Sequence, residues 1–371
     1  MSLKARFLAV AAAGAFLLVA ACGGLDSDTN PPAAITKNPH IGCPDLGYGA
    51  CSIWGVVPTT VRYVAIDLSS DGYGSMSGWG IGDGEQVGDC LCGQFGTERA
   101  LLWRGSASSL VNLHPDGFTA SSGSATSRGV QIGFGRIGGH THALKWAGSA
   151  NSVVDLHPTG FDSSEAVGIS GDQIAGFGRI GDEPHALLWT SRGVVDLHPR
   201  GFSGSIAFAT DGSKQVGQSD GHAVLWRGSA DSVIDLHPAA LRALSFTCPV
   251  DSSIAHGVSG DQQVGSGRPG CGWVTWHALL WTGTAESVVD LHPDGFNQIF
   301  AVAVANHRQV GWGSVFNNQT HALLWSGTAD SAVDLHVFLP PGFANSQANG
   351  IDASGNIIGT ADGHPIIWVR Q

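Results

Sequence analysis

"HALLWTSRGVVDLHPRGF", residues His185 to Phe202, joins an apolar run ending in Trp189 to a second run ending in Asp196 and Leu197. Close copies recur through most of the chain. Aligned on the tryptophan they give Trp103, Trp146, Trp189, Trp226, Trp281, Trp325 and Trp368, at spacings of 43, 43, 37, 55, 44 and 43 residues. Units of this size that cannot bury their apolar face alone must stack on their neighbours.

Four segments in each unit have strand character. In the third they are "SEAVGIS", "QIAGFGR", "PHALLW" and "GVVDLHP", separated by Gly, Asp and Ser turns. Four strands per unit is the size of a propeller blade. Solenoid coils are usually shorter, and a sandwich does not require repeated copies. Closure supplies a sharper test. The "VVDL" strand follows six of the seven Trp strands, yet after Trp368 the chain stops at Gln371. The missing copy is "VRYVAIDL", Val61 to Leu68, ahead of every Trp strand. The two sets balance only if this N-terminal strand completes the last blade. The expectation is an all-β, seven-bladed β-propeller over residues 59–371, with four antiparallel strands per blade.

Of 371 residues, 43% are apolar and 13% charged, with 54 glycines, which suits a turn-rich globular protein and excludes a disordered one. Lys and Arg total 18 against 30 Asp and Glu, so a phosphate backbone is repelled and nucleic acid is excluded as a partner.

Lys4 and Arg6 precede an apolar run from Phe7 to Ala21, too short to span a bilayer comfortably and patterned like a secretory signal peptide. The run ends in Val19-Ala20-Ala21-Cys22, which resembles the lipobox of bacterial lipoproteins. That resemblance implies cleavage after residue 21, diacylation of Cys22 and, with Gly23 where Asp would retain the protein at the inner membrane, an outer-membrane or cell-surface address. An ordinary signal peptide with a chance cysteine is the alternative. Loss of Lys4 and Arg6 with residues 1–21 leaves 16 basic against 30 acidic residues, a net charge of −14 that favours solubility over adsorption to anionic lipid. Residues 22–58 read as a polar, Pro-containing tether with a cysteine-bearing segment.

The repeats are similar to the HAF family of extracellular repeats, whose motif runs from a Gly-rich hairpin into "HAFLW" and then "DLG". The matches here are "HALKW", "HALLW", "HAVLW" and "HPIIW", followed by "VVDLHP", "VIDLHP" or "AVDLHP" over about residues 61–370. Leu, Val or Ile replaces Phe, and His-Pro stands where Gly is frequent. The resemblance implies an exported repeat protein and no particular reaction.

Twelve of the sixteen histidines sit in the repeat, and their spacing points to structure. His142 lies 13 residues before Asp155, as do His222 before Asp235, His277 before Asp290 and His321 before Asp334; His185 to Asp196 is 11. A hairpin would set each His beside its Asp across the strands as a charge-assisted hydrogen bond. In the first unit the two positions are Arg99 and Asn112, so both partners change together. A blade-local zinc site from His142, Asp155 and His157 is the competing reading, although six repetitions of it would be unusual. "GFGRIGGH" at Gly133 links two strands and offers phosphate no helix N-terminus. No metal or cofactor is expected.

Besides Cys22 there are six cysteines, an even number that favours disulfides in an exported protein. Cys248 and Cys271 share the fifth unit and are expected to pair. Cys90 and Cys92 lie two apart on an expected strand, so each is expected to reach back to Cys43 or Cys51, with zinc held by Cys43, Cys51, Cys90 and Cys92 as the alternative. The loops between second and third strands vary most, from "SDG" in the fourth unit to "GRPGCGWVTW" in the fifth and "GSVFNNQT" in the sixth. Variable loops on a rigid scaffold are where binding sites are usually made. Trp273 and Trp276, and then Phe316, Asn317 and Asn318, are the candidate binding residues. The leading reading is a non-enzymatic, lipid-anchored, monomeric envelope propeller that binds a protein or glycan. A propeller hydrolase or lyase acting on surface polysaccharide is the runner-up, and a purely structural envelope protein the third. An enzyme would place carboxylates or a His on inner strands of one or two units. Inner segments such as "SATSRG" and "AVGIS" show little of this.

Overall fold

In the computed structural model, which describes residues 61–93, 96–243, 246–270, 275–315 and 319–371, the chain forms seven antiparallel sheets, the blades of a β-propeller. Blade 2 shows the plan. Ala120–Ser127, Val130–Ile137, His140–Trp146 and Val154–Asp155 pair in that order, and blade 3 begins at Ser163–Ser170. The first strands of successive blades neighbour one another around the ring, and Met76–Gly82 of blade 1 neighbours Gln347–Ile351 of blade 7. They are therefore innermost, and the short fourth strands form the rim. Edges only two residues long in most blades give other chains little to pair with.

Blade 7 takes its fourth strand from the other end of the chain, as the strand balance in the sequence requires. Tyr63–Asp67 pairs with His364–Arg370, Tyr63 opposite Arg370 and Asp67 opposite Ile366. Leu68 is fully buried beyond that ladder, and its amide donates to Pro365 O at 2.9 Å. Blade 5 departs from the plan in the unit with the longest spacing. Ala240–Ala243 adds a fifth strand there, paired with the extended first strand Phe246–Ser259.

The copied residues build the joints between blades. All seven repeat tryptophans are buried. Trp146 packs with Val87, Leu102 and Leu113 of the preceding blade, and Trp103 with Leu68, Ile358 and Ile367 of blade 7. Truncation of such a residue to alanine costs about 3–5 kcal/mol. Polar links reinforce the joints on the face that carries the short turns. Gln131 donates through Nε2 to Glu85 Oε2 of blade 1 at 2.6 Å and accepts Gly148 N–H at 2.7 Å. Gln215 donates to Gln173 and Gln309 to Gln262 at later joints.

Candidate functional site: the loop face and the central channel

On the opposite face, the repeat histidines form relays. Asp155 lies opposite Leu144 in the ladder and reaches His142 diagonally, with Oδ2 2.7 Å from Nδ1, while its Oδ1 accepts the His157 amide at 2.8 Å. His157 Nε2 is 3.0 Å from Phe161 O, and a carbonyl only accepts, so Nε2 carries the proton. Nδ1 therefore accepts from the Ser164 hydroxyl at 2.9 Å, and Ser164 Oγ accepts Ala143 N–H at 3.0 Å. Ser164 belongs to blade 3 and the other groups to blade 2 or the crossing after it, so the relay closes the joint. The two imidazoles stack with centroids 4.1 Å apart.

Equivalent pairs join His185 to Asp196, His222 to Asp235, His277 to Asp290 and His321 to Asp334 at 2.7–2.9 Å. His364 bonds Asp67 in the same way at 2.8 Å, across the ring closure. In blade 1, Asn112 Oδ1 accepts the His114 amide in place of the Asp. Two joints depart from this plan. At the ring closure Ser69 and Met76 stand at the histidine and serine positions, and Ser69 Oγ lies 3.3 Å from His364 Nδ1; the joint between blades 5 and 6 is incomplete. Ile299 of blade 6 occupies the serine position, and the buried His292 Nδ1 has no hydrogen-bond partner. Burial pushes His157, His237, His292 and His336 down, the adjacent histidine of the same relay adding to the shift in each. Burial, with the Arg99 charge second, brings His114 down to about 4. These rings are neutral framework groups with both nitrogens committed in the complete relays. Among the described residues, no cluster of three or more His, Cys, Asp or Glu could hold a metal ion.

The long loops open on this relay face. Loops between second and third strands are two residues in blades 2, 3, 4 and 7 but eight in blade 1, seven in blade 5 and four in blade 6. Cys22, Cys43, Cys51, Cys271, Trp273, Phe316, Asn317 and Asn318 lie outside the described residues. Cys248 is buried and disulfide-bonded. The expected reach of Cys90 and Cys92 back to Cys43 or Cys51 is corrected: they bond to each other. The strand ends at Cys90 and the chain turns at the exposed Leu91, bringing the two Cα atoms to 5.2 Å, whereas an extended chain would hold them about 7 Å apart. Trp276 packs on Phe300 at 5.8 Å between ring centroids, and Phe300 on the buried Trp312 at 4.5 Å. Its carbonyl accepts Ile299 N–H at 2.8 Å. Trp276 is thus seated on the blade 6 core with only part of its surface free.

The channel holds residues that comparison of the copied segments passes over. Every innermost strand carries a register shift at the same place, and the residues bulged out there are Trp79, Ser124, Val167, Phe208, His256, Val302 and Asn349. Each is partly exposed, while the residue before it is a buried Gly or Ala. The residue after it is also Gly or Ala because inner strands converge. A Cβ on Gly80 would come within 2.6 Å of Ala125 Cα, and one on Gly168 within 2.7 Å of Ala209 Cα. Bulges re-aim side chains, and here they turn one variable residue per blade toward the axis. The sequence does carry the signal: "GWG", "GSA", "AVG", "AFA", "AHG", "AVA" and "ANG" each precede the conserved-position Gly of the second strand by a fixed interval, one residue longer in the last.

His256 stands at the bulge in blade 5 alone, its ring 5.5 Å from that of Phe208. Burial within the ring of blades pushes it down to about 4, so it is neutral at pH 7, although part of its surface opens to the channel. In blade 1, Asp89 accepts from Trp79 Nε1 at 2.9 Å and from Ser122 Oγ at 2.6 Å. Burial dominates those bonds and raises its carboxyl to about 6.

No family model and no curated protein sequence matches the chain. Solved structures that resemble it include TolB from Acinetobacter baumannii, at 15% identity over 57% of this chain and 52% of that one, with a TM-score of 0.40. A puromycin hydrolase matches at 13% identity over 82% of this chain and 52% of its own, TM-score 0.48. The β-propeller domain of the Trilobed protease from Pyrococcus furiosus matches at 10% identity over 82% and 96%, TM-score 0.47. This chain thus spans about half the length of the first two. No helix among the described residues is long and apolar enough to cross a membrane.

Proposed function

We propose that this chain is an exported, HAF-like repeat protein, lipid-anchored through Cys22 in the cell envelope, that acts without catalysis by binding a protein or glycan on its relay face. The observation that carries the reading is the division of labour between loops. On one face the connections repeat, with third-to-fourth-strand links of seven residues in blades 1, 2, 4, 5 and 6; on the other, the loops of blades 1, 5 and 6 lengthen from the two residues of the remaining blades. Blades 5 and 6 are adjacent, so the strand ends from which their longer loops leave lie on neighbouring parts of the ring. An acidic, soluble ring presented at a surface suits recognition of a neutral or basic partner.

The experiment uses the chain from residue 22 onward, made soluble by Cys22→Ser, in an envelope-extract pull-down and a glycan array. Specific capture should be lost in the Trp273→Ala, Trp276→Ala double variant. Trp276 also packs on Phe300, so Trp273→Ala alone is the variant free of that contact, and both are checked by thermal unfolding. Undiminished capture by the folded double variant would remove this site, and capture of nothing by the unaltered protein would leave the structural reading in its place.

A further inference from the structure

We propose that the central channel contains a second binding site, for a monosaccharide-sized, uncharged, hydroxyl-bearing ring, formed by the bulged residues on the His256 and Phe208 side. The inference is independent of the relay-face reading. Around the ring, Val167, Phe208, His256 and Val302 of blades 3 to 6 make an apolar arc with one imidazole in it. Asn349, Trp79 and Ser124 of blades 7, 1 and 2 face it with an amide, an indole and a hydroxyl.

Their polar groups are not equally committed. The Trp79 indole is bound to Asp89, and Asn349 Nδ2 donates to Gly78 O at 2.8 Å. His256 and Ser124 have no hydrogen-bond partner among the described residues. A neutral imidazole offers one donor and one acceptor, and a hydroxyl offers both. Leaving such groups unpaired in a confined site is costly, and a ligand hydroxyl satisfies them. Phe208 beside His256 supplies an aromatic face for the C–H face of a ring.

The channel also selects by charge. None of the seven bulged residues is charged at neutral pH, since burial holds His256 neutral. A charged ligand would lose its hydration without gaining a counter-charge from them, and the Asp89 carboxylate behind Trp79 is already committed to Trp79 and Ser122. The framework has no use for a histidine at this position. In the other six blades the bulge is made by Trp, Ser, Val, Phe, Val or Asn, so the fold sets no residue type there.

The test is a titration of the intact ring, with histidine side chains isotope-labelled, against methyl glycosides of neutral hexoses, with glucuronic acid and glucosamine as charged comparators. A ligand of this size at ordinary ligand efficiency should saturate with a Kd of about 1 mM. At least one neutral glycoside should shift the His256 resonance saturably, with the charged sugars at least about tenfold weaker. His256→Ala and Phe208→Ala should each weaken binding by about tenfold or more. The His256 resonance of the unaltered protein reports contact even if a channel variant fails to fold. No saturable shift with any neutral glycoside, equal binding of the charged sugars, or full binding by folded His256→Ala would overturn the site.

Discussion

Replacing Ser164 with alanine tests whether the histidine relays hold the blades together. Ser164 is fully buried, and its hydroxyl joins His157 Nδ1 at 2.9 Å to the Ala143 amide at 3.0 Å. Alanine adds no bulk and strands both groups, an acceptor on the imidazole and a donor on the backbone. Each such group costs about 1–3 kcal/mol when buried without a partner, so Ser164→Ala should lose about 2–6 kcal/mol. Urea unfolding followed by tryptophan fluorescence measures the loss, and an unchanged m-value shows that stability alone has moved. A double-mutant cycle with His157→Ala should give a coupling of about 1 kcal/mol or more. Ile299 provides the internal control. It is fully buried in an apolar cluster at the serine position, so Ile299→Ala should cost about 2–5 kcal/mol through the cavity it leaves, with no coupling to His292. A Ser164→Ala loss below about 0.5 kcal/mol, the size of an ordinary surface substitution, would refute the relay as a stabilising joint.

Removing the chain through Leu68 should abolish the single cooperative melt, because blade 7 loses its fourth strand and Trp103 loses Leu68; calorimetry decides, and a transition at the full-length temperature would contradict closure as a source of stability. Acid should destabilise the ring between pH 6.5 and about 4. His114 and His256 are held near 4 when folded and rise to 6.5 when unfolded, so the unfolded chain binds more protons in that window and stability falls with pH. Asp89 works the other way, since its folded value of about 6 exceeds the ordinary carboxyl value of 3.8 and acid relieves its burial. Asp89→Asn should therefore steepen the net loss between pH 6 and 4 in melting curves, and an unchanged slope counts against that assignment. Trp276→Ala should cost about 1–3 kcal/mol in urea unfolding through the Phe300 contact, and no loss would mean that the ring is not seated there. Cys22→Ser should move the protein from the membrane to the soluble or unprocessed fraction, with unchanged detergent partitioning as the contrary result.

The framework was legible because it is copied. Seven tryptophans and seven "DL" segments could be counted, and the imbalance at the two ends led to the closing strand Tyr63–Asp67. The channel was not legible by the same route, since alignment on repeated residues discards the one that differs. His256 shows this best: nothing in "AHG" marks a channel until bulge register and partial exposure set it beside Phe208. The Cys90–Cys92 bond was missed because a strand was expected to run on where the chain turns at Leu91. The incomplete relay at His292 could have been found from sequence, because Ile299 follows a repeat histidine at the position that is serine after the others, but only once that serine was known to serve the histidine of the preceding blade.

The direction of the closing strand fixes how a pull on the chain is transmitted. From Tyr63 beside Arg370 to Asp67 beside His364, it runs from the short-turn face to the relay face. The chain therefore enters at Val61 on the face opposite the variable loops. Tension along the strand axis would load the five paired residues of that ladder in shear, all together, with the Asp67–His364 bond and buried Leu68 at its far end. The joint that completes the ring is thus also the one that bears a pull on the chain at Val61.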